Sequence, residues 1–211
     1  MLTLEQARSW YLEHDPVHGF DHIQRVYALC QRIGAAEGAD MEIVSAAALL
    51  HDARGSHPAA AARGEHHIAS AAFAAEVLLA EGWPEERLSA VQHCIRAHRF
   101  RNGGEAPNTL EARVLFDADK LDVIGAIGVV RALGYAQQAG QPAFAEPSLA
   151  FQWHGTLEPT EPHSAYHEYL FKLKGISDVL TTKTGRDLAQ HRQQVLDAFF
   201  EELATESRAE R

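Results

Sequence analysis

The sequence predicts an all-α fold, and three observations support this prediction. Alanine, leucine, glutamate, glutamine and arginine, which favour helices, dominate the 211 residues, whereas runs of β-branched residues are scarce. Capping residues and glycine or proline breakers divide the chain into stretches of helical length. No two segments show a convincing pattern of paired strands. A helical bundle is therefore the expected architecture.

Local signals define the first four predicted helices. Thr3 starts the first one, with Gln6 as its partner in a capping box, and Asp40 caps the third. Gly38 and Gly82 follow the second and the fourth, where glycine commonly ends a helix. These helices cover about residues 3–13, 21–37, 41–51 and 65–81.

The second half of the chain contains four more predicted helices. Pro84 suits the first turn of the fifth, which reaches about His98. A long apolar helix is predicted from about Leu110 to Tyr135, and the segment 140–162, rich in proline and glycine, is predicted to be irregular. Two helices, at about 164–174 and 185–204, finish the chain.

The chain shows no internal repeat, low-complexity tract or change in composition that would mark a domain boundary. We therefore predict a single all-α domain over residues 1–211. Its motif-bearing core covers about 18–125, and the C-terminal helices within 164–204 are expected to pack on this core.

Composition excludes several classes of function. The 29 acidic and 19 basic residues give a net charge of −10, so most of the surface repels nucleic-acid backbones. The N-terminus lacks the pattern of a signal peptide, and no apolar run approaches the roughly 18 residues of a membrane span. Cys30 and Cys94 lie in apolar helical segments and are expected to be reduced core residues. We expect a cytoplasmic protein that binds neither nucleic acid nor membranes.

A histidine and an aspartate follow the most apolar predicted helix. The stretch Ala46–Leu50 is apolar on every side, as is typical of a buried helix, and His51 and Asp52 come directly after it. An ionised carboxylate is costly to bury unless it is paired or bound to a cation. The pattern therefore indicates either a metal site or a His-Asp pair that satisfies itself by hydrogen bonding.

Three carboxylates and a lysine interrupt a second apolar stretch. Asp117, Asp119, Lys120 and Asp122 lie between the apolar segments 114–116 and 123–127. A solvated helix face is the usual explanation for such charges, but the apolar residues on both sides make it a poor one here. A bound cation or phosphate group would account for the burial.

Histidine, the commonest metal ligand and a natural proton carrier, occurs 13 times. His22 lies near the start of the second helix, where a hydrogen-bonded core histidine is the simpler alternative. With His51, Asp52 and a carboxylate near position 119, it completes a set of nitrogen and oxygen ligands. Such a set suits Mn, Fe, Zn, Ni or Mg-like ions and leaves coordination positions open to water and substrate.

These motifs resemble the H…HD…D signature of the HD superfamily of metal-dependent phosphohydrolases, in particular its single-domain bacterial members. The matching segments are DHIQRV from Asp21, LLHD ending at Asp52 and DADKLD from Asp117. The likeness continues through IGAIG after Val123 and YHEYLFKLK at 166–174. The resemblance implies a helical bundle of the HD-domain type.

Carried over to this chain, the family's metal ligands are His22, His51, Asp52 and Asp119. The resemblance implies a divalent metal ion as cofactor but leaves its identity open among Mn, Mg, Ni, Co and Fe.

The resemblance also implies roles around the metal. Lys120 matches a lysine that binds phosphate, and His66 and His98 best match histidines near the substrate phosphates or a second metal. Several HD enzymes carry an acid three positions after the HD aspartate, where this chain has Gly55. Asp122 and Glu65 are the alternatives for a general acid or base.

The expected reaction is hydrolysis of a phosphate ester or anhydride by a metal-activated water. The resemblance implies a small phosphorylated molecule as the substrate, and a nucleotide is the favoured candidate. His66, His98 and Asp122 are the candidate catalytic residues, while Lys120, Arg54 and Arg99 are the candidate substrate-binding residues. Helix-end surface histidines are the simpler alternative for His66 and His98.

Two other functions stay open at this point. One is a di-iron oxygenase of the HD type, and the other is a non-enzymatic HD domain that senses a nucleotide. The sequence also leaves the oligomeric state open, with a homodimer as one alternative.

Overall fold

The computed structural model describes residues 2–11, 19–54, 65–100 and 104–211. Within these ranges the chain forms helices and no strand, which confirms the all-α prediction. The chain divides into two compact units, Met1–Asp119 with Thr181–Gly185, and Lys120–Leu180 with Arg186–Arg211. The single domain expected from the sequence stays a prediction.

The first unit is organised around its third helix. It contains α1 (Leu4–Arg8), α2 (Phe20–Glu37), α3 (Met41–Leu50), α4 (His66–Ala80), α5 (Glu85–Ala97) and most of α6 (Leu110–Leu121). Helix α3 contacts α1, α2, α4 and α5, and every residue from Ile43 to Leu50 is buried. The prediction of a buried helix before His51 is therefore confirmed.

The predicted caps account for where these helices begin and end. Thr3 and Gln6 form the capping box of α1, and the Asp40 carboxylate accepts hydrogen bonds from two backbone N–H groups of α3. Gly38 ends α2 with a φ of 78°, a left-handed conformation that glycine adopts without strain. Both Cys30 and Cys94 are buried and free, as expected for core residues.

The second unit packs aromatic rings between short helices and the C-terminal helix. It contains the end of α6, then α7 (Gly125–Gln138), α8 (Leu149–His154), α9 (Ala165–Phe171), a 3-10 helix (Leu173–Val179) and most of α10 (Lys183–Ser207). Tyr169 of α9 stacks on Phe200 of α10, with ring centroids 4.7 Å apart and planes 10° apart. No helix among the described residues has both the length and the apolar character that crossing a bilayer demands.

Two predictions about the second half of the chain are wrong. The helix predicted from Leu110 to Tyr135 is broken after Leu121, because Gly125 adopts a φ of 75° and the Arg192 guanidinium donates to the Leu121 carbonyl. The segment 140–162, predicted to be irregular, contains α8. The Ser148 hydroxyl caps that helix by accepting the N–H of Phe151.

The buried carboxylate of Asp117 is satisfied by protein donors. The backbone N–H groups and hydroxyls of Thr181 and Thr182 all donate to it, at 2.6–3.2 Å. These threonines directly precede α10, so Asp117 ties the start of that helix to α6. No ligand is needed to explain the burial of this carboxylate.

We predict that Gly185→Ala lowers the free energy of unfolding by about 1–3 kcal/mol, as overpacking does. A Cβ at Gly185 would meet the Asp117 carboxylate and lie 2.7 Å from the Thr182 hydroxyl, so the bonds between these groups would have to shift. Urea unfolding measures the effect. Gly175→Ala is the matched control because nothing lies within 4 Å of its added Cβ. Equal stability of the two variants would contradict this account of Asp117.

Candidate metal centre

Five helices of the first unit bring four histidines and two aspartates together. The first turn of α2, the ends of α3 and α5, the start of α4 and the body of α6 contribute the side chains. We call this group the His-Asp cluster; its members are His22, His51, Asp52, His66, His98 and Asp119. The cluster is largely buried, since all but Asp119 are 9% exposed or less. It contains the four predicted metal ligands and two of the three predicted catalytic residues.

Two of the histidines are oriented by the same local geometry. His51 and His98 each follow the last residue of a helix, and each Nδ1 lies close to the carbonyl oxygen three residues earlier, 2.8 Å from Ala48 and 2.5 Å from Ile95. Because a carbonyl only accepts, Nδ1 carries the proton in both rings. Each ring therefore turns Nε2, the atom that can bind a cation, toward the cluster. Ligating histidines in proteins are held in this way.

His22, His51 and Asp119 form one half of the cluster, which we call the first triad. Their ligand atoms lie within 4.8 Å of one another, and His22 Nε2 is 3.6 Å from Asp119 Oδ1. Asp52 Oδ2 lies 3.9 Å from Nε2 of both His22 and His51. Ligands that share an ion at about 2.1 Å are about 3–4 Å apart, so this spacing suits one cation.

Asp52, His66 and His98 form the other half, the second triad. Asp52 Oδ1 lies 3.0 Å from His66 Nε2 and 3.6 Å from His98 Nε2. Asp52 therefore contacts both halves of the cluster, one with each carboxylate oxygen. The two rings of His51 and His98 meet edge to face between the halves, with centroids 5.2 Å apart.

The residues of the first triad fit a divalent cation. His51 is completely buried, and its Nε2 has no hydrogen-bond partner in the described part of the chain. Leaving a buried polar atom unsatisfied costs about 1–3 kcal/mol, and a bound cation would remove that cost. Imidazole nitrogen and carboxylate oxygen together suit Mn, Fe, Ni, Co or Zn.

The electrostatics keep Asp52 ionised. Burial acts to raise the pKa of Asp52, but the attraction of His51, the hydrogen bond and attraction of His66, and the attraction of His98 together outweigh it. The pKa of this carboxyl therefore lies well below its usual range. At neutral pH Asp52 is a carboxylate, the form that binds a cation.

Two of the predicted substrate-binding residues contact protein groups. The Arg54 guanidinium lies over the Phe73 ring, 3.4 Å from its centroid, and Arg54 itself is exposed. Arg99 Nη1 lies 3.0 Å from Nδ1 of His66. Glu65 is exposed at the start of α4, and Gly55 lies outside the described residues.

The remaining two predicted residues belong to the second unit. Lys120 is buried, and the buried carboxylate of Asp122 accepts a hydrogen bond of 2.5 Å from Arg131 of α7. The catalytic role of Asp122 stays a prediction. Sequence reasoning missed Arg131 because the pair is joined across the turn between α6 and α7, where helical spacing does not apply.

A family model for the HD domain matches residues 19–124. The chain belongs to the HD-domain family. The matched range includes every member of the His-Asp cluster.

A relative from Bacillus subtilis matches nearly the whole chain. The uncharacterized protein YpgQ of Bacillus subtilis is 30% identical over 206 residues, which cover 94% of this chain and 91% of YpgQ. The crystal structure of YpgQ in complex with ADP superimposes with a TM-score of 0.73 at 28% identity, covering 97% of each chain.

Two further solved structures share the fold. A protein of Lactobacillus plantarum gives a TM-score of 0.74 at 28% identity and covers 99% of this chain and all of its own. An HD-superfamily hydrolase of Bacillus thuringiensis gives a TM-score of 0.67 at 24% identity, with 98% and 97% of the chains covered. These structures therefore share the fold of this chain over nearly its whole length.

Proposed function

We propose that this protein is a metal-dependent phosphohydrolase that cleaves a phosphate ester or anhydride of a small molecule, with nucleotides as the preferred substrate class. The observation that carries the proposal is the buried, unsatisfied His51 Nε2 beside a second imidazole and two carboxylates. A cation bound there would satisfy the Nε2 lone pair and balance the charge of the carboxylates. The ADP complex of YpgQ supports a nucleotide as the substrate class.

The first triad would hold the cation, with Asp52 Oδ2 as the fourth ligand. A divalent cation bound there supplies a water of lowered pKa and a positive charge beside a phosphoryl oxygen. The residues do the positioning: His51 and His98 are fixed by their Nδ1–H bonds to the backbone, and burial of the cluster restricts access of bulk water.

His66 and His98 would face the substrate from the second triad, as the sequence motifs imply. Nε2 of His66 and of His98 lies 3.0 and 3.6 Å from Asp52 Oδ1. The other oxygen of this carboxylate faces the first triad. Arg54, at the exposed edge of this region, and Lys120 stay the proposed phosphate-binding residues. The second triad offers another group of three candidate ligands, which favours a two-metal centre. A two-metal centre would in turn favour the di-iron oxygenase.

The experiment is a screen of nucleoside tri-, di- and monophosphates and generic phosphate esters against Mn²⁺, Mg²⁺, Co²⁺, Ni²⁺ and Fe²⁺. We expect release of phosphate or pyrophosphate from at least one nucleotide. Asp119→Ala should reduce this turnover by about a hundredfold or more, because it removes a ligand of the cation. Asp178→Ala, an exposed aspartate of the 3-10 helix, is the matched control.

Three outcomes would contradict the proposal. Turnover that survives Asp119→Ala would place the chemistry elsewhere. Tight nucleotide binding without turnover under any metal would favour the nucleotide sensor. Oxygen consumption by the iron-loaded protein, without phosphate release, would favour the oxygenase.

A further inference from the structure

Arg99 is joined to the His-Asp cluster through His66. Arg99 Nη1 lies 3.0 Å from His66 Nδ1, and His66 Nε2 lies 3.0 Å from Asp52 Oδ1. The other oxygen of Asp52 faces the first triad, 3.9 Å from Nε2 of His22 and of His51. We call Arg99, His66 and Asp52 the arginine relay.

The partners of His66 decide where its ring proton lies. A guanidinium group has only N–H donors and no acceptor, so Nδ1 of His66 accepts the hydrogen bond from Arg99. Nε2 therefore carries the ring proton, and it lies 3.0 Å from Asp52 Oδ1. His51 and His98 have the opposite arrangement, with the proton on Nδ1 and the lone pair on Nε2.

We propose that Arg99 fixes His66 as a hydrogen-bond donor, excludes it from metal ligation and so restricts the centre to one cation. An imidazole binds a metal through a nitrogen lone pair. In His66 the lone pair of Nδ1 is occupied by Arg99, and Nε2 carries the proton. A second cation in the second triad would require the bond between Arg99 and His66 to break.

The relay also places His66 beside Asp52. Oδ1 of Asp52 faces Nε2 of His66, and Oδ2 faces the first triad, where the proposed function needs it. Arg99 and His66 are thus positioning residues, and Arg99 acquires a role other than the phosphoryl contact expected from the sequence. The inference rests on the proposed function only in taking the first triad as a cation site.

The first test locates the ring protons in the metal-free wild-type protein. Two-bond proton–nitrogen NMR correlations on protein labelled with ¹⁵N-histidine distinguish protonated from unprotonated ring nitrogens. We expect a protonated Nε2 and an unprotonated Nδ1 in His66, and the reverse in His51 and His98. His66→Asn assigns the His66 signals by their loss. A proton on Nδ1 of His66 would overturn the inference, whether or not the protein hydrolyses anything.

The second test counts cations. Equilibrium dialysis against Mn²⁺, followed by metal analysis, should give one ion per wild-type chain and two per chain for Arg99→Leu. The affinity for the second ion should be about tenfold or more higher in Arg99→Leu than in the wild type. Arg99→Lys keeps a donor and should stay at one ion. Arg96→Leu removes an arginine of α5 that pairs with Glu105; it is the matched control and should also bind one ion.

Each other result has a definite meaning. Two ions in the wild type, or one in a folded Arg99→Leu, would overturn the inference. Circular dichroism and thermal melts establish whether Arg99→Leu is folded. If it is unfolded, the ion count of the wild-type protein and the positions of its ring protons still test the inference. Failure of the wild-type protein to bind any Mn²⁺ would contradict the proposed function, while the NMR result would still test the relay.

Discussion

His51→Ala is expected to abolish cation binding by the HD domain and to lower hydrolysis by about a thousandfold or more, since the centre supplies several kcal/mol of transition-state stabilisation. The residue contributes a buried, oriented Nε2 lone pair that no other residue of the first triad can replace. Calorimetric titration with Mn²⁺ measures binding, and phosphate release measures turnover.

Thermal melts separate loss of the ligand from loss of the fold. A cation that binds only the native state raises the melting temperature of the wild-type protein, and this increase should vanish in His51→Ala while the metal-free variant still melts cooperatively. His191→Ala, at an exposed position of α10, is the matched control and should keep the increase. An unchanged increase in His51→Ala would remove His51 from the centre.

The parts of the fold that the sequence predicts are those with local causes. The Thr3 capping box and the Asp40 cap depend on side chains within three residues of the backbone groups that they bond. The burial of α3 follows from an apolar pattern on every face of one short segment. The same reasoning identified the His51-Asp52 pair, because polar groups stand out directly after such a helix.

The parts that the sequence could not predict depend on contacts between distant residues. The break after Leu121 needs Arg192, 71 positions away, to satisfy the freed carbonyl. The relay needs Arg99 to meet His66, 33 positions earlier, across two helices. Neither arginine carries a local signal, since an arginine in a helical sequence is usually a solvated residue.

The segment from Asp117 to Asp122 shows the same limit within six residues. Its three carboxylates look alike in sequence, yet each has a different partner in the structure. Asp117 is bonded by two threonines, Asp119 lies beside His22 in the first triad, and Asp122 pairs with an arginine. Only the family motif singled out Asp119, because spacing along α6 treats all three as one charged run.

The ion pair between Asp122 and Arg131 leads to the second large expected effect. Arg131→Met should lower the free energy of unfolding by about 3–5 kcal/mol, the usual result of removing one partner of a buried pair. The reason is that Asp122 is 1% exposed and its charge would lose a guanidinium donor 2.5 Å away. Urea unfolding of the metal-free protein measures the change. Arg113→Met, on the exposed side of α6, should stay within about 0.5 kcal/mol of the wild type.

The double variant Asp122→Asn/Arg131→Met distinguishes a structural from a catalytic aspartate. Because it removes the buried charge together with its arginine partner, it should be more stable than Arg131→Met alone by about 0.5–3 kcal/mol. If Asp122 acts mainly in catalysis, Asp122→Asn would abolish turnover with little change in stability. Arg131→Met would then lower the free energy of unfolding no more than Arg113→Met does. That pattern would contradict the structural role of the pair and restore Asp122 to the catalytic residues expected from the motif.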